Sequence, residues 1–259
     1  MMRSVLASLS VVLLAGACDS DDYDDENPIQ PTPPPTATVV SASGAILAKV
    51  DEFRALVGEP RNGGTVPGPA PSGRREVTWD GVAGANLNTN TFPGDFFAVT
   101  TRLGLITATP GTGQRVSDND FADINTAFGD AFNAFSGTKT FAAIGSQVMD
   151  VTFQVAAATT PAAVSAFGVV FADVDVADAT KIEAFDKSGR SLGVFAAPVR
   201  SDATGHSFIG IKFASAIITR VRITSGTGAL GAQALDVTSG GTSDLVVMDD
   251  FIYGEPVPQ

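Results

Sequence analysis

The chain has 259 residues, 44% of them hydrophobic and only 17% charged, with 27 glycines and 15 prolines, which is enough apolar material for a large turn-rich β domain and excludes wholesale disorder. A formal net charge of −12 repels phosphate backbones and sets nucleic acid aside as a partner. A single cysteine leaves neither a disulfide framework nor a cysteine-based metal site.

The first 17 residues carry Arg3, an apolar run from Val5 to Leu14 and then small residues. That pattern predicts a cleaved export signal, too short to span a membrane. The stretch Leu14-Ala-Gly-Ala-Cys18 resembles the bacterial lipobox, with Ala15 where that motif usually carries leucine. The resemblance implies cleavage before Cys18, lipidation of its thiol, and anchoring of the exported chain to the inner or outer membrane of the cell envelope. Cleavage to a plain secreted protein is the alternative. Residues 18–40 then run DSDDYDDEN and PIQPTPPPTATV. Like charges repel and proline-rich chain is extended, so this reads as a tether reaching roughly 70 Å.

A single domain is expected over residues 41–256. Apolar spacing at Ile46, Leu47, Val50, Phe53 and Leu56, closed by Gly58 and Pro60, predicts one short amphipathic helix over 45–57. A glycine- and proline-rich loop leads to a strand at 75–79. Further strands are expected at 96–108, 139–144, 148–156, 165–174, 180–186, 191–198, 207–213, 218–225 and 244–253. The pattern is plainest in Arg220-Val-Arg-Ile223, where apolar and charged residues alternate with period two. The loop Asp186-Lys-Ser-Gly-Arg190 places glycine where a hairpin wants a positive φ. Short antiparallel strands with few helices and no βαβ rhythm predict an all-β, jelly-roll-like sandwich with one or two short helices.

Three acidic clusters are candidate ligands for a structural calcium, which takes several oxygens from carboxylates at short spacing. They are Asp118 with Asp120, Asp173 with Asp175, and Asp249 with Asp250. For the first, a helix N-cap opening the segment FADINTAFGDAF is an equal reading. For the second, alternation puts both carboxylates on one face at a strand end, which is either a solvent-facing edge or two converging ligands. For the third, alternation separates the two, so one should reach solvent or a strand end. The other should meet a cation, an arginine such as Arg220 or Arg222, or backbone N–H groups.

Trp79, Phe92, Phe96 and Phe97 are read as core packing, with a sugar-stacking platform as the alternative. The lone His206 sits in a glycine-containing turn. No nucleophile elbow, zinc helix or phosphate loop is present, so the chain is expected to be non-catalytic.

Taken together, the stretches RREVTWDGV (74–82), FPGDFF (92–97), VSDNDFADIN (116–125), FGVVFADVD (167–175) and VVMDDFIYGEP (246–256) resemble a family of uncharacterised bacterial exported β-sandwich proteins. More loosely, the closing strand is similar to that of carbohydrate-binding jelly rolls. The resemblance implies an exported module that binds polysaccharide or a surface protein. A structural or matrix surface protein without a small ligand, or a secreted glycan hydrolase, are the alternatives.

Overall fold

The computed structural model describes residues 35–63, 68–129, 131–201 and 205–259. The signal segment, Cys18 and most of the expected tether lie outside them. The chain forms β1 (Thr38–Gly44), α1 (Leu47–Val57), β2 (Arg74–Val77), α2 (Phe96–Val99), β3 (Leu105–Ala108), β4 (Gly113–Ser117), β5 (Thr140–Ile144) and β6 (Val148–Gln154). It continues with β7 (Pro161–Ala163), β8 (Ala166–Ala172), β9 (Lys181–Phe185), β10 (Ser191–Ala196), β11 (His206–Lys212), β12 (Arg220–Thr224), β13 (Val247–Gly254) and β14 (Val257–Pro258).

These strands build two antiparallel sheets that form a sandwich. The first runs β1-β11-β8-β13-β5-β4, with β2 also paired to β13. The second runs β10-β9-β12-β6-β7-β14, with β3 also paired to β6. Inner side chains such as Trp79, Phe141, Phe153, Phe167, Val221 and Phe251 fill the space between them.

The two sheets differ on their outer sides. The first is covered: Phe53 and Val50 of α1 pack with Val170, Phe208 and Ile252, while Phe121, Phe128 and Phe132 of a long loop pack with Ala142 and Val247. Every residue of β8, AFGVVFA, is therefore buried, as expected of a strand with both faces covered. The second sheet keeps alternation: β12 reads half-buried, buried, exposed, buried, half-buried along Arg220–Thr224. Among the described residues no element covers its outer face, which carries Lys181, Glu183, Arg220 and Arg222 along with the exposed Val194.

Two cross-strand glycines let α1 approach so closely. Gly168 of β8 and Gly210 of β11 face each other in register, and the Phe53 ring lies over both. A Cβ at either position would stand 2.6 Å or 2.7 Å from that ring.

Several local expectations need correction. Strand β1 begins at Thr38, inside the stretch read as tether, because its residues ladder with β11. The domain also runs past residue 256: β14 pairs with β7, and buried Arg75 grips Glu255 with two hydrogen bonds of 2.8 Å and 2.7 Å. The stretch 96–108 is not one strand. Phe96–Val99 forms a helical turn that buries both phenylalanines, and only Leu105–Ala108 is extended. The segment after Asp118 forms turns rather than a helix. Its three phenylalanines anchor the loop, and the Ser117 hydroxyl, not an aspartate, accepts the Phe121 N–H at 2.9 Å. The strand expected at 75–79 ends at Val77, and Trp79 takes a φ of 63°.

Candidate functional site

Asp249 and Asp250 are both fully buried, contrary to the expectation that one would reach solvent. The ladder explains why. Met248 pairs with Phe171 and Phe251 with Val169, so β13 carries one extra residue across Asp249-Asp250. This β-bulge turns both side chains toward the covering layer. Asp249 accepts N–H bonds from Phe135 and Ser136 at 2.5 Å and 3.1 Å. Asp250 accepts the Ser136 hydroxyl at 2.6 Å and the Arg54 guanidinium at 3.2 Å. The carbonyl of Asp249, freed from the ladder by the bulge, accepts the Trp79 indole N–H at 2.9 Å. Burial, and then the charge of Asp250, pushes the Asp249 carboxyl up, and burial raises Asp250 as well. The pair fastens the covering layer to the sheet, with backbone donors and Arg54 as its partners. Arg220 and Arg222 lie elsewhere.

Asp118 and Asp120 form no shared site with the other candidates. Asp118 accepts from the Asn88 amide at 2.6 Å, and Asp120 occupies a left-handed turn with φ of 53°. The four aromatic residues pack in the core, as expected, and not as a sugar-stacking platform. Trp79, Phe92, Phe96 and Phe97 are all buried, with Trp79 stacked on Phe141 at 3.9 Å between centroids. His206 bonds the Asn133 carbonyl at 2.9 Å and packs against Phe135, so it serves structure.

Asp173 and Asp175 do converge. They leave the end of β8, where Asp173 takes a φ of 74°, and meet Asp236, which caps the 3-10 turn Val237–Ser239. One oxygen from each of the three lies within 4.8 Å of the others. Arg200 grips both oxygens of Asp175, at 2.7 Å and 3.2 Å, and also contacts Asp173. Asp244 lies alongside and accepts N–H bonds from Asp175 and Val176 at 3.2 Å and 3.0 Å. Burial pushes the Asp173 carboxyl to about 7 against the opposing pull of Arg200, with Asp236, Asp175 and Asp244 adding to the rise. Asp244 is pushed to about 6, again mainly by burial. Sequence reasoning passed over Asp236 and Asp244. The only local signal at Asp236 was the turn Asp-Val-Thr-Ser-Gly-Gly.

The bare face of the second sheet is the remaining surface of interest. Arg222 faces Asp150 and Glu183 across the ladder, and Arg220 faces Thr152 and Phe185. Arg222 makes two hydrogen bonds to Asp150, at 2.9 Å and 2.8 Å, and the Arg220 guanidinium lies 3.7 Å over the Phe185 ring. An open depression of about 410 Å³ is cut into this face, lined by Thr152, Gln154, Asp186, Lys187, Thr219 and Arg220 among others.

No family model, curated protein or solved structure matches this chain. The reading of function therefore rests on the geometry above. Among the described residues, no helix is long and apolar enough to cross a membrane.

Proposed function

We propose that this protein is a non-catalytic module of the bacterial cell envelope, exported, held to a membrane by a lipid on Cys18, and binding polysaccharide through the bare face of its second sheet. The observation that supports the binding face is the depression at Thr152, Gln154, Thr219 and Arg220. Its volume is in the range of small-ligand sites. Its lining mixes hydroxyls, an amide and forked charged groups, which pair with the alternating donors and acceptors of a polyol. Cationic Lys181, Arg220 and Arg222 nearly balance Asp150 and Glu183 here, on a chain of net charge −12, so a neutral ligand suits the face better than an ion.

One observation favours the second reading, a structural surface protein without a small ligand. The aromatic ring on this face, Phe185, is covered by Arg220 rather than offered bare to a sugar. A glycan array with the soluble form starting at Asp19 separates the two. Binding that disappears in Arg220→Ala and Thr152→Val, with unfolding midpoints retained, supports the polysaccharide reading. No binding on an array covering envelope glycans, or binding unchanged in both variants, would sink it.

A further inference from the structure

We propose that Asp173, Asp175 and Asp236 form a calcium site that clamps the end of β8 to the loop preceding β13, a role independent of the polysaccharide reading. Three independent observations converge on it. The first is geometric. Carboxylate oxygens from the three residues lie within 4.8 Å of one another. Two ligands, each about 2.4 Å from a shared calcium, span that distance.

The second is an unsatisfied buried group. Asp173 is 1% exposed, yet neither of its carboxylate oxygens receives a hydrogen bond. Arg200 pairs with one of them through Nη1 but without hydrogen-bonding geometry, while its Nε and Nη2 hold both oxygens of Asp175. A buried carboxylate without donors is costly to keep, and a cation is the partner that meets its remaining lone pairs.

The third is charge. Asp173, Asp175, Asp236 and Asp244 gather around Arg200 as the one cationic side chain contacting the triad among the described residues, leaving an excess of negative charge for a divalent ion to neutralise. The ligand set is all oxygen, with no imidazole or thiolate, so a hard cation fits and zinc does not. The surrounding bonds already hold the ligands in place. Asp236 accepts the N–H groups of Thr238 and Leu245, at 2.7 Å and 2.9 Å, and the Thr238 hydroxyl at 2.5 Å, which leaves about one of a carboxylate's four acceptor positions to offer. Asp244 ties the backbone of Asp175 and Val176 to the loop without entering the triad.

The test is a thermal melt of the chain starting at Asp19, at pH 7.5, with calcium chloride and with chelator, backed by calorimetric titration of calcium. Millimolar or tighter binding is expected for a module of this kind, so about 5 mM calcium should raise the melting temperature by several degrees. Asp173→Asn should melt higher than the parent in chelator, since it removes a buried charge, and should show no calcium increment. Asp236→Asn should also lose the increment, while Asp118→Asn, placed elsewhere, should keep it. No shift with calcium in the parent would overturn the site. So would a full increment surviving in Asp173→Asn, the variant chosen because it should fold even if Asp236→Asn does not. A magnesium increment equal to that of calcium would overturn the assignment of the ion.

Discussion

Arg54 and Asp250 are separated by 196 positions in the chain, yet their side chains meet at 3.2 Å. Arg54 reaches down from α1 to a carboxylate that has no exposure of its own, and it bonds Glu76 of β2 on the way. The helix is thus held over the sheet by charge as well as by Phe53.

Removing that guanidinium leaves Asp250 buried without its cation. Arg54→Met should lower stability by about 3 kcal/mol, the smaller end of the range for a broken buried pair because Arg54 is itself 20% exposed. Adding Asp250→Asn to the same chain should recover a large part of the loss. Urea unfolding of the two single variants and the double variant measures both steps.

The raised carboxylates set a pH dependence with a definite sign. Asp173 and Asp244, at about 7 and about 6, and the Asp249–Asp250 pair all titrate above the unfolded value near 4. Their contribution is complete below that value and is lost as pH rises through the folded ones. Asp150, held down by the guanidinium of Arg222 against the effect of burial, and Asp186, lowered to about 2 chiefly by the Ser188 hydroxyl, act the other way and lose their contribution as pH falls below about 4. In chelator, the urea midpoint should therefore be highest near pH 4–5 and fall toward pH 8. Asp249→Asn should flatten the descent. A midpoint that climbs steadily from pH 5 to pH 8 would contradict this assignment.

The glycine pair under Phe53 makes a packing prediction. Gly168→Ala sets a methyl carbon 2.6 Å from Phe53 Cε1 and 3.1 Å from Phe208 Cζ. Both rings are fully buried, so a loss of about 2 kcal/mol is expected. Replacing Phe53 by leucine in the Gly168→Ala background should cost less than it does in the parent. A thermodynamic cycle over the four proteins gives the coupling.

The proposed lipid anchor is tested by labelling. Cells fed radiolabelled palmitate should incorporate label into the parent chain, and Cys18→Ser should abolish it and release the protein from the membrane fraction. Label retained on the serine variant would refute acylation at this residue.

Much of the architecture was legible because apolar alternation survives wherever one face meets water. Strands β6, β9 and β12 follow that rule and lie close to their expected bounds. Strands such as β4, β7 and β14 are too short or too polar to announce themselves, since their partners, not their composition, make them extended. The convergence of Asp173 and Asp175 followed from their spacing at a strand end. The bulge did not, because strict alternation assigns Asp249 and Asp250 opposite faces and one extra residue cancels that inference. Asp236 was missed for another reason: it joins the cluster through a loop whose path no local pattern encodes.

The position of β13 has a consequence for how the chain acquires its structure. This strand lies between β8 and β5 in the first sheet, and β2 pairs with it as well. Until residue 254 has been synthesised, earlier strands on either side have no common neighbour, and the sandwich has a slot down its middle. The first sheet therefore cannot close before β13 has been made, whatever the early helix and hairpins achieve on their own. A strand made after both of its neighbours keeps the two halves of the first sheet apart until it inserts between them.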